Sequence, residues 1–175
     1  MAMKTTDHHI ITLMRTDPER GCRLMMSAYM ERIYWHVRRM VVSHCDAQDV
    51  TQEAFIRAYR SIDNFKGDSA LSTWLYRIAT NEALRCIERR NPDLVAMDDS
   101  FDALADEYVD YEQAVQVKLQ RAVHSLPPRQ QAVFNLRYFD RMEYDEIARV
   151  CDSSVAAVKS NYHIAKEKIT KYLNA

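Results

Sequence analysis

The sequence predicts an all-α protein: two small helical domains joined by a flexible acidic linker. Three observations predict it. Only two glycines and four prolines occur in 175 residues, too few for the many tight turns of an all-β fold. Apolar residues recur at spacings of three and four in several long stretches. The charge is partitioned along the chain. Residues 1–90 carry 14 bases and 11 acids, residues 91–117 carry 8 acids and no base, and residues 118–175 carry 10 bases and 6 acids. The net charge of −1 thus hides two basic blocks flanking an acidic bridge, which says more about partners than the total does. The boundaries expected are 1–91, 92–111 and 112–175, with a helix resuming near Tyr111.

The remaining composition excludes function classes. No apolar run approaches the ~18 residues of a membrane span, and the first twenty residues hold no apolar signal core, so a cytoplasmic protein without membrane insertion is expected. Cys22, Cys45, Cys86 and Cys151 form no C-x-x-C pair. Reduced, partly buried thiols are expected, with no metal site and no cofactor. No glycine-rich phosphate loop or nucleophile–base pairing suggests an enzyme. His8 and His9 are expected in a mobile end.

In the first block, "CRLMMSAYMERIYWHVRRMV" places Leu24, Ala28, Ile33, Trp35 and Val37 near one side. "DAQDVTQEAFIRAYRSI" offers Asp46 as an N-cap and Asp49 in the first turn. A helix over about 72–90 lays Leu71, Trp74, Leu75, Ile78 and Ile87 on an apolar stripe, with Arg77, Asn81 and Arg85 as a polar row beside it. Just before it, Phe65, Lys66, Gly67, Asp68 and Ser69 form an open polar loop. A single strand of nucleic acid is held by aromatic stacking and by bases following its backbone, and an extruded base needs hydrogen-bonding groups. The loop holds these ingredients. Asn81 is placed to be the amide. Phe65 fits stacking and core packing equally; Trp74, on the stripe, is expected in the core.

In the second block, "SLPPRQQAVFNLRYF" starts a helix with prolines in its first turn. A short helix over about 144–150 stops at "CDSS", and a longer one begins with Ser153 or Ser154 as N-cap. There Val155, Val158, Tyr162, Ala165, Ile169 and Tyr172 make one buried face. Short helix, polar turn, longer helix is the plan of a helix-turn-helix, although a plain helical hairpin gives the same pattern. Ala156 and Ala157 are small enough for close approach to base edges. Ser160, Asn161 and His163 can hydrogen-bond bases or phosphates, and Lys159 and Lys166 can meet phosphates.

The strings "DAQDVTQEAFIRAYRSIDNFKGDSALSTWLYRIATNEAL" and "LPPRQQAVFNLRYFDRMEYDEIARVCDSSVAAVKSNYHIAKEKI" resemble regions 2 and 4 of bacterial sigma factors, in the order and spacing of the extracytoplasmic-function (ECF) group of the sigma-70 family. The resemblance implies a factor that binds core RNA polymerase, recognises minus-35 and minus-10 promoter elements and promotes melting. It implies that Asp49, Val50, Gln52 and Glu53 face the clamp helices of the β′ subunit; by themselves these charges read as ordinary helix surface. It implies minus-10 contacts by Phe65, Lys66, Gly67, Asp68, Ser69, Arg77 and Asn81. The minus-35 contacts fall to Ala156, Ala157, Lys159, Ser160, Asn161, His163 and Lys166. Promoter DNA, the polymerase β flap and an anti-sigma factor are the further partners implied. Lys159 and Asn161 stand where relatives often carry arginine, which bears on the base preference. The acidic bridge fits a mimic of nucleic acid threading the polymerase as well as a solvated linker. The competing hypothesis is a helix-turn-helix regulator that binds duplex DNA without polymerase.

Overall fold

A computed structural model describes residues 5–41, 43–89 and 111–175. Apart from Tyr111, the acidic stretch expected as a linker lies outside them. Helices α1 (Thr5–Thr16), α2 (Pro18–Met40), α3 (His44–Ser61) and α4 (Leu71–Arg89) make up the first half, with a 3-10 turn at Ile62–Asn64. Helices α5 (Tyr111–His124), α6 (Pro128–Tyr138), α7 (Tyr144–Val150) and α8 (Val155–Asn174) make up the second. No strand occurs among the described residues, as the composition predicts.

The N-terminal segment departs from expectation. His8 and His9 lie in α1, whose Ile10, Ile11 and Met14 are buried in the core. Asp17 caps α2, accepting from the Arg20 amide at 3.3 Å, and Pro18 fills the first position, where a missing N–H costs little. The α1–α2 turn is so tight that a Cβ on Gly21 would lie 2.3 Å from the Met14 backbone nitrogen. Asp7, also buried, accepts a hydrogen bond from the Tyr29 hydroxyl. Burial, and then this carboxylate, push the Tyr29 pKa well above its ordinary value.

The inward face of α2 is Met25, Tyr29, Ile33, His36, Val37 and Met40, which shares only Ile33 and Val37 with the stripe expected. Leu24 and Ala28 face outward and Trp35 is 50% exposed. The true stripe contains a histidine and a tyrosine, which a purely apolar count passes over. The α3 cap is Ser43, accepting from the Asp46 amide at 3.4 Å; Asp46 sits in the first turn and Asp49 in the second. Trp74, Ile78 and Ile87 of α4 are only partly buried, whereas Leu71, Leu75 and Tyr76 are fully inside. In α8 the buried face is Val158, Ala165 and Ile169; at the two ends Val155 and Tyr172 turn outward.

One core runs from α1–α4 into Ala132, Val133, Leu136, Ile147 and Val158 of the second half, and a smaller one joins α5, α6 and α8 through Val123, Leu126, Phe134 and Ile169. The four cysteines are free. Burial pushes the Cys151 thiol up to about 11, which leaves it protonated and unreactive at neutral pH.

Candidate nucleic-acid interface

The loop ahead of α4 turns at Gly67, whose φ of +81° suits glycine and whose Cβ position faces open space. Lys66, Gly67 and Asp68 are exposed and Ser69 half-buried. Phe65 is 5% exposed and packs on Trp74 with ring centroids 5.2 Å apart. Its side chain therefore belongs to the core and is not offered for stacking. The Phe65 carbonyl accepts from Arg15 Nη2 at 3.0 Å, which ties the loop to α1. Arg77 and Asn81 lie one turn apart on α4 and are exposed.

Beside Asn81, Glu82 is buried and ion-paired to Arg57 at 3.0 Å and Arg85 at 2.5 Å. Arg57 also pairs with Glu53 at 3.0 Å. The paired carboxylate fixes two guanidinium groups along a groove that includes Arg60, Ser61, Ile78 and Asn81. Sequence reasoning included Arg85 in the polar row and missed Glu82 and Arg57. The available signal was a carboxylate three residues before an arginine on the same helix.

In the second half, α7 opens with a capping box between Glu143 and Glu146. The turn to α8 lacks glycine; Asp152 takes the left-handed conformation instead, at φ +50°, which aspartate tolerates better than most residues. Ser154 caps α8, accepting from the Ala157 amide at 3.1 Å. The α8 face away from the core exposes Ala156, Lys159, Ser160, His163 and Lys166. Lys159 lies over the Tyr144 ring at 5.6 Å and Lys166 over the Tyr162 ring at 5.8 Å, while His163 stands 3.5 Å from Glu167. Ala157 and Asn161 are half-buried.

Family models match both halves of the chain. The Sigma-70 region 2 model matches residues 25–92 and the Sigma-70 region 4 model residues 116–169. The RNA polymerase sigma-H factor of Pseudomonas aeruginosa is 33% identical over 186 residues, covering 99% of this chain and 96% of its own. The ECF RNA polymerase sigma-E factors of Haemophilus influenzae and Escherichia coli (strain K12) are 35% and 34% identical, each covering 97% of this chain, and 96% and 95% of their own lengths. This chain belongs to the sigma-70 family, in its ECF group. It is an RNA polymerase sigma factor. The fold likewise matches CnrH, solved with the cytosolic domain of CnrY, at 21% identity and TM-score 0.74 over 97% of both chains. It also matches the Bartonella quintana sigma factor RpoE, crystallised with the anti-sigma factor NepR, at 17% identity and TM-score 0.68 over 87% of this chain and 96% of that one.

Of the four α3 residues proposed to meet polymerase in this sigma factor, Asp49 and Gln52 are exposed and Glu53 is half-buried against Arg57. Val50 is buried in the core and supports the helix rather than presenting a contact. Among the described residues no helix is long and apolar enough to cross a membrane.

The two halves bring Arg77 and Asn81 of α4 against Asp152, Ser153 and Asn161 of the helix-turn-helix, around one cavity of about 330 Å³. The rest of the α8 polar face lies outside it. Elsewhere on the boundary, Gln131 Nε2 donates to the Arg39 carbonyl at 3.0 Å and the Met40 carbonyl at 3.4 Å, and Asn135 Nδ2 donates to the Arg39 carbonyl at 3.3 Å. Amides from α6 thereby satisfy carbonyls that the end of α2 leaves without helical partners. Gln131 also donates to His124 Nδ1 at 3.0 Å. Burial, and then the Arg38 charge, lower the His124 pKa from 6.5 to about 4. The folded protein therefore binds fewer protons here than the unfolded chain between those values. Stability from this group is complete above pH 6.5 and is lost as pH falls toward 4. Urea melts at pH 7 and pH 5 are expected to differ by at most about 2 kcal/mol from this group, and His124→Gln flattens the difference. An identical pH profile for both proteins would rule this role out.

Proposed function

We propose that this sigma factor works as two DNA-reading modules, within 1–91 and 112–175, bridged by the acidic stretch 92–111. The first docks on the β′ clamp helices through Asp49, Gln52 and Glu53, where carboxylates and an amide complement a basic partner. It holds the opened minus-10 strand with Lys66, Gly67, Asp68, Ser69, Arg77 and Asn81. The second engages the β flap and lays α8 in the major groove of the minus-35 element through Ala156, Ala157, Lys159, Ser160, Asn161, His163 and Lys166. The chain supplies no catalytic group of its own and acts in the cytoplasm beside the polymerase. An anti-sigma factor, as NepR is to Bartonella RpoE, is its regulatory partner.

The carrying observation is the division of α8. Val158, Ala165 and Ile169 are buried while Ala156, Lys159, Ser160, His163 and Lys166 are exposed on a helix entered through a tight capped turn. Small residues near its start and polar ones one to two turns later suit groove entry.

The deciding experiment is run-off transcription with core polymerase on a library of promoter templates; absence of any promoter-dependent transcript would sink this reading. In the same assay format, Lys159→Ala is expected to weaken minus-35 binding by the holoenzyme. It should also reduce the slope of log K against log [salt] by about 1, the signature of one lost phosphate contact. An unchanged slope assigns Lys159 no phosphate.

A further inference from the structure

Glu82 is the buried charge of α4; Arg77, Arg85, Glu88 and Arg89 of the same helix are exposed. Its side chain is 4% exposed, and its Oε1 takes both Arg57 Nε of α3, at 3.0 Å, and Arg85 Nη1, at 2.5 Å. The side chains of Arg57 and Arg85 keep 46% and 54% of their surface in solvent. A hidden carboxylate thus holds one edge of two guanidinium groups whose other N–H groups stay reachable. Glu82 also marks a divide. On one side lies a groove with Asp46, Asp49 and Arg89, on the other a groove with Arg60, Arg85 and Asn81; Glu53, Arg57 and Glu82 border both.

Stability does not explain a carboxylate at this position. An apolar side chain of similar volume usually serves a buried site as well or better, because both charges must lose water to form the pair. What the pair supplies is orientation. An arginine on a free stem samples many rotamers and loses them when it meets a ligand. Arg57 and Arg85 have given up that freedom beforehand. Arg85 stands one turn beyond Asn81, about 6 Å along the helix axis, which is roughly two steps of a stacked strand at 3.4 Å each. Arg57 approaches from α3 across the same groove. The planar fork of a guanidinium matches the oxygens of a phosphate. Three arginines and two glutamates line this groove, so one positive charge stays in excess.

We infer that Glu82 is a positioning residue for promoter opening: it fixes Arg57 and Arg85 as a preorganised phosphate clamp on the opened strand, one turn from the base that Asn81 holds. This role rests on the minus-10 reading proposed above for Asn81. The ligand is the sugar-phosphate backbone, so the clamp supplies affinity and register and reads no sequence. Base choice stays with Asn81 and the loop at Gly67.

The test uses holoenzyme at saturating core polymerase and a fork-shaped fragment of a promoter that the holoenzyme transcribes, with the minus-10 non-template strand already single. Affinity is measured against salt concentration. Glu82→Gln keeps the shape and removes the charge. It is expected to weaken binding about tenfold and to lower the slope of log K against log [salt] by about 0.7 to 1.4, the share of one or two single-strand phosphates. Mere removal of a negative charge would do the opposite and strengthen binding. Glu82→Met should keep or raise the thermal midpoint while losing the same DNA affinity, a pair of results that support of the fold alone would not give. With Arg57→Gln and Arg85→Gln already in place, Glu82→Met should change affinity less than twofold, because Glu82 acts only through those two residues. Wild-type affinity and slope in the Glu82 variants, stronger binding, or a full tenfold loss in the background without the two arginines overturns the clamp. If Glu82→Met does not fold, Glu82→Gln and the exposed Arg85→Gln, expected to lose one phosphate from the slope, decide in its place. Asn81→Ala without effect on opening overturns the minus-10 reading instead, so the two failures are distinct.

Discussion

Gly21→Ala is expected to destabilise the protein by about 3 kcal/mol, at the upper end of the cost of overpacking a rigid contact. The sign is informative because helix propensity alone favours alanine over an interior glycine by about 1 kcal/mol. Sterics wins here. The added carbon would stand 2.3 Å from the Met14 nitrogen, 2.6 Å from its Cα and 2.7 Å from the Leu13 carbonyl carbon. All three are backbone atoms, so no rotamer change relieves the clash. Either α1 lifts off α2 or the turn at Asp17 distorts. Thermal denaturation should show a midpoint lower by about 6–12 °C for a chain of this size. An unchanged or higher midpoint would show that α1 does not cross α2 this closely.

Asn81→Ala is expected to reduce open-complex yield on a cognate promoter by about 10- to 100-fold, equivalent to losing about 1–3 kcal/mol of base recognition. Permanganate reactivity of unpaired minus-10 thymines reads the yield directly. Core polymerase affinity should be unchanged, because Asp49 and Gln52 point from another helix. Stability should move less than about 0.5 kcal/mol, as for other exposed side chains. Full opening with normal core affinity would place the extruded base elsewhere.

Much of the helical plan was legible because it is local. The limits of α7 and α8, the prolines at the start of α6 and the cap at Ser154 follow from neighbouring residues. What escaped was set at long range. His36 and Tyr76 are buried because Asp140 waits for them across the boundary, and periodicity counts neither as apolar. Trp35 is exposed because those positions take the inward face of α2. Ser43 displaced Asp46 as cap because the start of α3 depends on where α2 ends, at Met40. In the candidate interface, the exposure of Lys66, Arg77 and Asn81 matched their polarity. Phe65 could pack or stack, and only the position of Trp74 decided it. Glu82 hid among charges: nothing local distinguishes a buried carboxylate from a solvated one until Arg57, on another helix, is placed beside it.

The bond from Arg15 to the Phe65 carbonyl spans fifty residues of sequence and makes α1 and the Gly67 loop parts of one cooperative unit. Native-state proteins open in such units, and the amides of a unit exchange with solvent together. If α1 frays, the loop loses an anchor at the residue from which it departs. The exchange rates of Lys66–Ser69 should therefore follow those of Ile10–Met14 through denaturant. The ordering of the loop proposed to hold the opened strand then depends on α1, fifty residues away in the chain.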